Sequence, residues 1–142
     1  MPARQAEARW EGTLKEGNGN LKLGSGAFEG PFSFSSRFEN SPQANPEELL
    51  GVAHAGCFSM ALSGALERAG FPVEYVHTNA KVNLNKGDSG FAITSIDLEV
   101  EAKVPNLDDA TFQTKAEDTK NNCIISKALS SVPMTINAKL VK

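Results

Sequence analysis

A chain of 142 residues is long enough for one domain whose core needs no disulfide or metal staple. Hydrophobic residues at 40% and charged residues at 22% exclude a disordered chain. A net charge of −3, with no long run of Lys or Arg, disfavours nucleic acid and anionic membrane surfaces as partners.

In chain order, Ala6 to Lys15 reads as a strand carrying Trp10 and Leu14 among polar residues. The turn "EGNGN" then leads into a second strand, "LKLGSG". After "FEGP", the stretch "FSFSSRF" alternates Phe32 and Phe34 with Ser33 and Ser35, which predicts a third strand containing Arg37. The polar connection "ENSPQANP" ends at Asn45, a good N-cap, with Pro46 at the first helical position and Glu47 and Glu48 in the first turn. The helix so begun runs to a stop at Gly70 and is almost without charge from Leu49 to Leu66. Such a helix is expected to be buried on most sides, either as a central element or completed by a second subunit. Gly56 is a candidate break, after which Cys57 would sit at the positive end of a new helical segment.

Val76, Thr78, Ala80, Val82 and Leu84 predict a strand that turns at "KGDSG" into another. That next strand changes phase between Ile93 and Ile96, which predicts a bulge near Thr94 and Ser95. "PNLDDATF" opens an amphipathic helix ending near "KNN". A short helix from Cys123 to Ser131 and a strand from Met134 to Val141 close the chain. The order β-β-β-α-β-β-α-α-β, without repeat or linker, predicts an α+β fold in a single domain, residues 1–142.

No stretch of about 18 apolar residues is read, so no membrane span is expected, and the polar N-terminus "MPARQAEARW" leaves no apolar core for a leader. A cytoplasmic location follows as the expectation, and there two cysteines serve as reduced or redox-active thiols rather than as a permanent staple. Cys57, Cys123, His54 and His77 lack the paired spacings of a structural zinc site, so no metal or cofactor is expected. Each thiol has two readings. A free cysteine is a small, inert core residue in most settings. Two thiols that meet can instead form a disulfide after one is oxidised to sulfenic acid. Arg37 reads either as a solvated strand residue or as a cation for a thiolate and a peroxide oxygen. Glu47 reads as a helix-end carboxylate or as that arginine's bidentate partner. His54, one turn before Cys57, is expected to be packed and hydrogen-bonded, with a base for a Cys-His hydrolase as the lesser reading. His77 is expected to face solvent. Ten residues of straight helix separate Glu47 from Cys57 by about 15 Å, so a shared site requires a break in the helix or a second subunit.

The segments "ARWEG", "RFE", "NPEELLGVAHAGCFSMAL" and "GFAIT" and the region of the second cysteine resemble the OsmC/Ohr family of thiol-dependent hydroperoxidases, most closely its osmotically inducible OsmC branch. The resemblance covers nearly the whole chain. It implies an OsmC-like fold in which antiparallel sheets wrap around central helices in an intertwined homodimer, with active sites at the subunit interface. It further implies that Cys57 is the peroxidatic and Cys123 the resolving cysteine, with Arg37 holding the thiolate and Glu47 holding Arg37. Organic hydroperoxides would be the substrates, with hydrogen peroxide reduced more weakly. An external dithiol, dihydrolipoyl or thioredoxin-like, would be the reductant, in a setting of oxidative or osmotic stress. One position departs from the family pattern: "CIIS" places Ile124 where a proline usually follows the second cysteine. The alternative from another class is a non-catalytic module binding a small hydrophobic ligand, with Cys57 merely packed.

Overall fold

Asn45 does two jobs at the start of the chain's longest helix. Its side-chain oxygen accepts from the Glu48 N–H at 2.8 Å, the expected N-cap bond, and its amide donates to the Ser36 carbonyl at 2.9 Å. The computed structural model describes residues 1–142 and divides them into two compact units, residues 1–49 and 50–142.

In the first unit, β1 (Ala6–Glu11), β2 (Asn18–Leu23) and β3 (Glu29–Phe32) form an antiparallel sheet in that order. The expected third strand stops at Phe32. Residues Phe34–Phe38 form a short helix, α1, so Arg37 stands on a helix and not on a strand. The reason is local. Ser33 accepts from the Ser36 N–H at 3.2 Å, while the Ser36 hydroxyl accepts from the Ser33 N–H at 2.9 Å. This reciprocal pair is a capping box with serine in place of the usual glutamate, and it outweighs the phenylalanine–serine alternation.

Helix α2 (Pro46–Arg68) is unbroken. The candidate break at Gly56 does not occur, and Cys57 lies in mid-helix without a helix N-terminus beneath it. A glycine costs a helix interior about 1 kcal/mol, which tertiary packing along α2 readily offsets. The helix ends as expected: Gly70 takes φ +93°, and the Phe71 N–H reaches back to the Leu66 carbonyl at 2.8 Å.

In the second unit, β4 (Tyr75–Gly87) and β5 (Gly90–Lys103) make a long hairpin. The predicted bulge is present: Asn83 faces Ser95 and Leu84 faces Ile93, leaving Thr94 as the extra residue. Helix α3 (Asp109–Asn122) is capped by Asp108, and helix α4 (Ile124–Ala128) by Cys123. Strand β6 (Met134–Val141) then pairs with β5 in parallel, not in the antiparallel sense expected throughout. Two helices between β5 and β6 form a crossover, which returns the chain to the end of the sheet from which β5 began.

Phe58, Leu62 and Leu66 of α2 pack on Ile96, Leu98, Val100 and Ala102 of β5, with Phe112 of α3 joining them. Replacing Phe58 by alanine is expected to cost about 3–5 kcal/mol, the range for emptying a fully buried aromatic site, read as a lowered urea midpoint at unchanged slope. The opposite face of α2 is not covered. Val52 is 70% and Met60 80% exposed, so the chargeless helix is buried on one side and not on most sides. By length and composition alone α2 would pass for a membrane span, with mean hydropathy 1.5, although its other face packs in this core.

Candidate active site

Cys57 and Cys123 lie 66 positions apart in the chain and meet in the second unit. Helix α2 turns Gly51, His54, Phe58, Leu62 and Leu66 inward at helical spacing, and Cys57 sits half-buried at the edge of that stripe. Cys123 is buried in the core cluster at the junction of α3 and α4. Its backbone is extended, at φ −63° and ψ 150°, and its sulfur caps α4 by accepting from the Ser126 N–H at 3.4 Å. The following turn carries the Ile125 N–H to 3.5 Å from Cys57 Sγ. Both cysteines are free thiols. Burial raises the Cys123 thiol above its ordinary range, opposed by its hydrogen bonds with Ser126 and assisted by the neighbouring Cys57. A raised thiol is protonated at neutral pH, so it cannot attack without losing its proton.

His54 is fully buried, as expected, and its partner is one that sequence spacing did not indicate. Its Nε2 lies 2.8 Å from Ser126 Oγ. Ser126 Oγ in turn accepts from the Cys123 thiol at 3.0 Å. Burial lowers the His54 imidazole below its ordinary value of 6.5 and keeps it neutral at pH 7. His77 is exposed on β4.

Arg37 and Glu47 meet in the first unit. The Arg37 guanidinium makes a two-pronged pair with Glu47, Nε to Oε1 at 3.0 Å and Nη2 to Oε2 at 3.2 Å. Glu47 is 12% exposed and Arg37 42%, so the carboxylate is tucked under a guanidinium whose outer edge stays open. The Arg37 guanidinium also lies over the Phe38 ring at 5.4 Å. The four residues singled out from the sequence therefore form two pairs, one in each unit.

Ile124, the departure from the family pattern, occupies the first position of α4. Proline is favoured there because its φ is already helical and the N–H it lacks has no partner inside the helix. The extended backbone of Cys123 is also the conformation a following proline requires. Ile124→Pro is therefore expected to stabilise the protein by about 0.4–1 kcal/mol through the unfolded state, seen as a raised thermal midpoint with unchanged far-ultraviolet dichroism.

Paired reduced thiols on an α+β frame, one half-open and one buried beside a serine–histidine contact, define a cysteine-dependent redox protein. Comparison with known proteins narrows the class. The family model for OsmC-like proteins matches residues 38–137. The chain is 44% identical over 129 residues to the peroxiredoxin OsmC of Escherichia coli K12, covering 90% of each chain, and equally so to that of Shigella flexneri. Among solved structures, the fold is shared with an organic hydroperoxide resistance protein from Elizabethkingia anophelis (TM-score 0.75, 22% identity, 99% of each chain). It is also shared with an OsmC-like protein from Mycoplasma pneumoniae (TM-score 0.73, 16% identity, 99% of each chain). The chain belongs to the OsmC-like family and has its α+β fold.

Proposed function

We propose that this cysteine-based peroxidase reduces organic hydroperoxides, and hydrogen peroxide more weakly, through Cys57 and Cys123. The observation that carries the reading is the convergence of two free thiols on the first turn of α4, with an N–H of that turn aimed at Cys57 Sγ. The curated relatives, named as peroxiredoxins, support peroxide as the substrate class.

Cys57 thiolate attacks one peroxide oxygen, the O–O bond breaks, and the alkoxide leaves as alcohol once protonated. Cys57 is left as sulfenic acid. The Cys123 sulfur then attacks the Cys57 sulfur, releasing the oxygen as water and forming a disulfide. An external dithiol, dihydrolipoyl or thioredoxin-like, restores both thiols by exchange. Arg37, steadied by Glu47, is the cation that holds the thiolate and the peroxide oxygen. The partly buried apolar Ala61, one turn from Cys57 on α2, favours an alkyl substituent over a second proton on the peroxide.

The working form in this reading is a homodimer of single OsmC-like domains in the cytoplasm, serving the response to oxidative and osmotic stress. The bare α2 face around Val52 and Met60 supports the dimer, because an apolar helix face of that kind is stable in water only when covered. Treating reduced protein with one equivalent of cumene hydroperoxide and mapping its peptides should give a Cys57–Cys123 disulfide. Its absence, together with peroxidase activity surviving in Cys57→Ser, overturns the proposal.

A further inference from the structure

The disulfide-forming step needs a base for Cys123. Its thiol is buried, and its proton points at Ser126 Oγ, 3.0 Å away. Ser126 has one hydroxyl proton and must place it somewhere. With the thiol donating to it, the acceptor at hand is His54 Nε2 at 2.8 Å. This accounting assigns the neutral imidazole its proton on Nδ1, an atom that is itself buried with no hydrogen-bond partner in this chain. The three groups form a line from Cys123 through Ser126 to His54. No other titrating group interrupts it. Strand β4 offers α2 Thr78, Ala80 and Val82 along this face, strand β5 offers Ile96, Leu98 and Val100, and α3 offers Phe112, Ala116 and Thr119. The Cys57 sulfur lies beside the same turn, 3.5 Å from the Ile125 N–H, and Lys127 of α4 is exposed.

Resting on the peroxidase reading above, we propose that His54 is a positioning and proton-holding residue for the resolving cysteine, drawing the Cys123 proton through the Ser126 hydroxyl. In this step the thiol proton passes to Ser126 Oγ as the hydroxyl proton passes to His54 Nε2. The Cys123 sulfur forms its bond to the Cys57 sulfur while the sulfenic S–O bond breaks. The oxygen leaves as hydroxide and takes up a proton as His54 gives one back, so the products are a disulfide, water and neutral His54. No outside oxidant or reductant enters. The line also explains the histidine's burial, since a buried imidazole stays neutral and able to accept.

His54→Gln separates this role from simple packing, because the glutamine amide can still hydrogen-bond Ser126 but cannot accept a proton. The protein is oxidised with cumene hydroperoxide in a stopped-flow mixer. Quenched samples then give the rates of Cys57 sulfenic acid formation, by dimedone trapping, and of disulfide formation. In wild type, disulfide formation should change little between about pH 6.5 and 8.5. In His54→Gln and Ser126→Ala it should be slower by about a hundredfold at pH 7 and climb about tenfold per pH unit, following unaided thiol ionisation. A wild-type profile in His54→Gln overturns the proposal, as does an equal fall in both rates. Failure of wild-type Cys57 to form sulfenic acid overturns the peroxidase reading and this step with it. Normal oxidation and resolution with one common pH profile overturns only the relay.

Discussion

Cys57→Ser should lower kcat/KM for cumene hydroperoxide by at least about a thousandfold, because a serine hydroxyl ionises far too weakly to replace a thiolate nucleophile. Cys123→Ser should behave differently. Its Cys57 still reacts once with peroxide, so a burst of one alcohol per site is expected, followed by a stall with sulfenic acid on Cys57. Excess peroxide should then drive that sulfur to sulfinic acid, a gain of two oxygens visible in the intact mass. The contrast is informative because both residues are small and the substitutions nearly isosteric. A packing defect would affect the two variants alike, whereas the assigned chemistry separates them into no burst and one burst. If both variants retain steady turnover with a dithiol, neither thiol carries the reaction; if wild type itself shows no turnover, a non-catalytic binding module becomes the better description.

Much of the thiol site was readable because its elements are long and strongly patterned. The α2 cap at Asn45, the stop at Gly70, the phase change at Thr94 and the helix opened by Cys123 each have a local cause written in a few residues. What was misread had competing local signals. The alternation in "FSFSSRF" is that of a strand, yet the Ser33–Ser36 capping box decides for a helix; a hydroxyl three residues after a serine was the available clue. Gly56 pointed to a break, but its exposed, open position asks nothing of the backbone. The His54–Ser126 contact could not be read at all, because 72 positions separate the partners and only the tertiary fold of α4 onto α2 joins them. The parallel β5–β6 pair was likewise a property of the crossover and not of either strand's pattern.

If the protein is the homodimer proposed above, the unbroken α2 gives the second subunit a measurable role. About 15 Å of helical rise separates Glu47 from Cys57, and Glu47 holds Arg37 by both prongs. In the proposed homodimer, a site that uses the guanidinium on the Cys57 thiolate can draw one pair from each of two copies. Arg37→Ala alone should lower kcat/KM by about a hundredfold, the loss typical of removing a charged donor from a developing anion. Cys57→Ser alone should be inactive. Mixed after brief denaturation and refolding, these two variants should regain activity. Random pairing makes about half of the dimers mixed, and each mixed dimer has one site with both native residues, so recovery approaches about a quarter of wild type. Wild type mixed equally with a doubly substituted chain gives the converse reading: about a quarter of wild-type activity, from wild-type homodimers alone, if Arg37 acts across the interface, and about half if it acts within one chain. Recovery in the first mixture places Arg37 across the interface from the Cys57 it serves. A mixture no more active than its Arg37→Ala component places the pair within one chain, and the dimer would then cover Val52 and Met60 without completing the site.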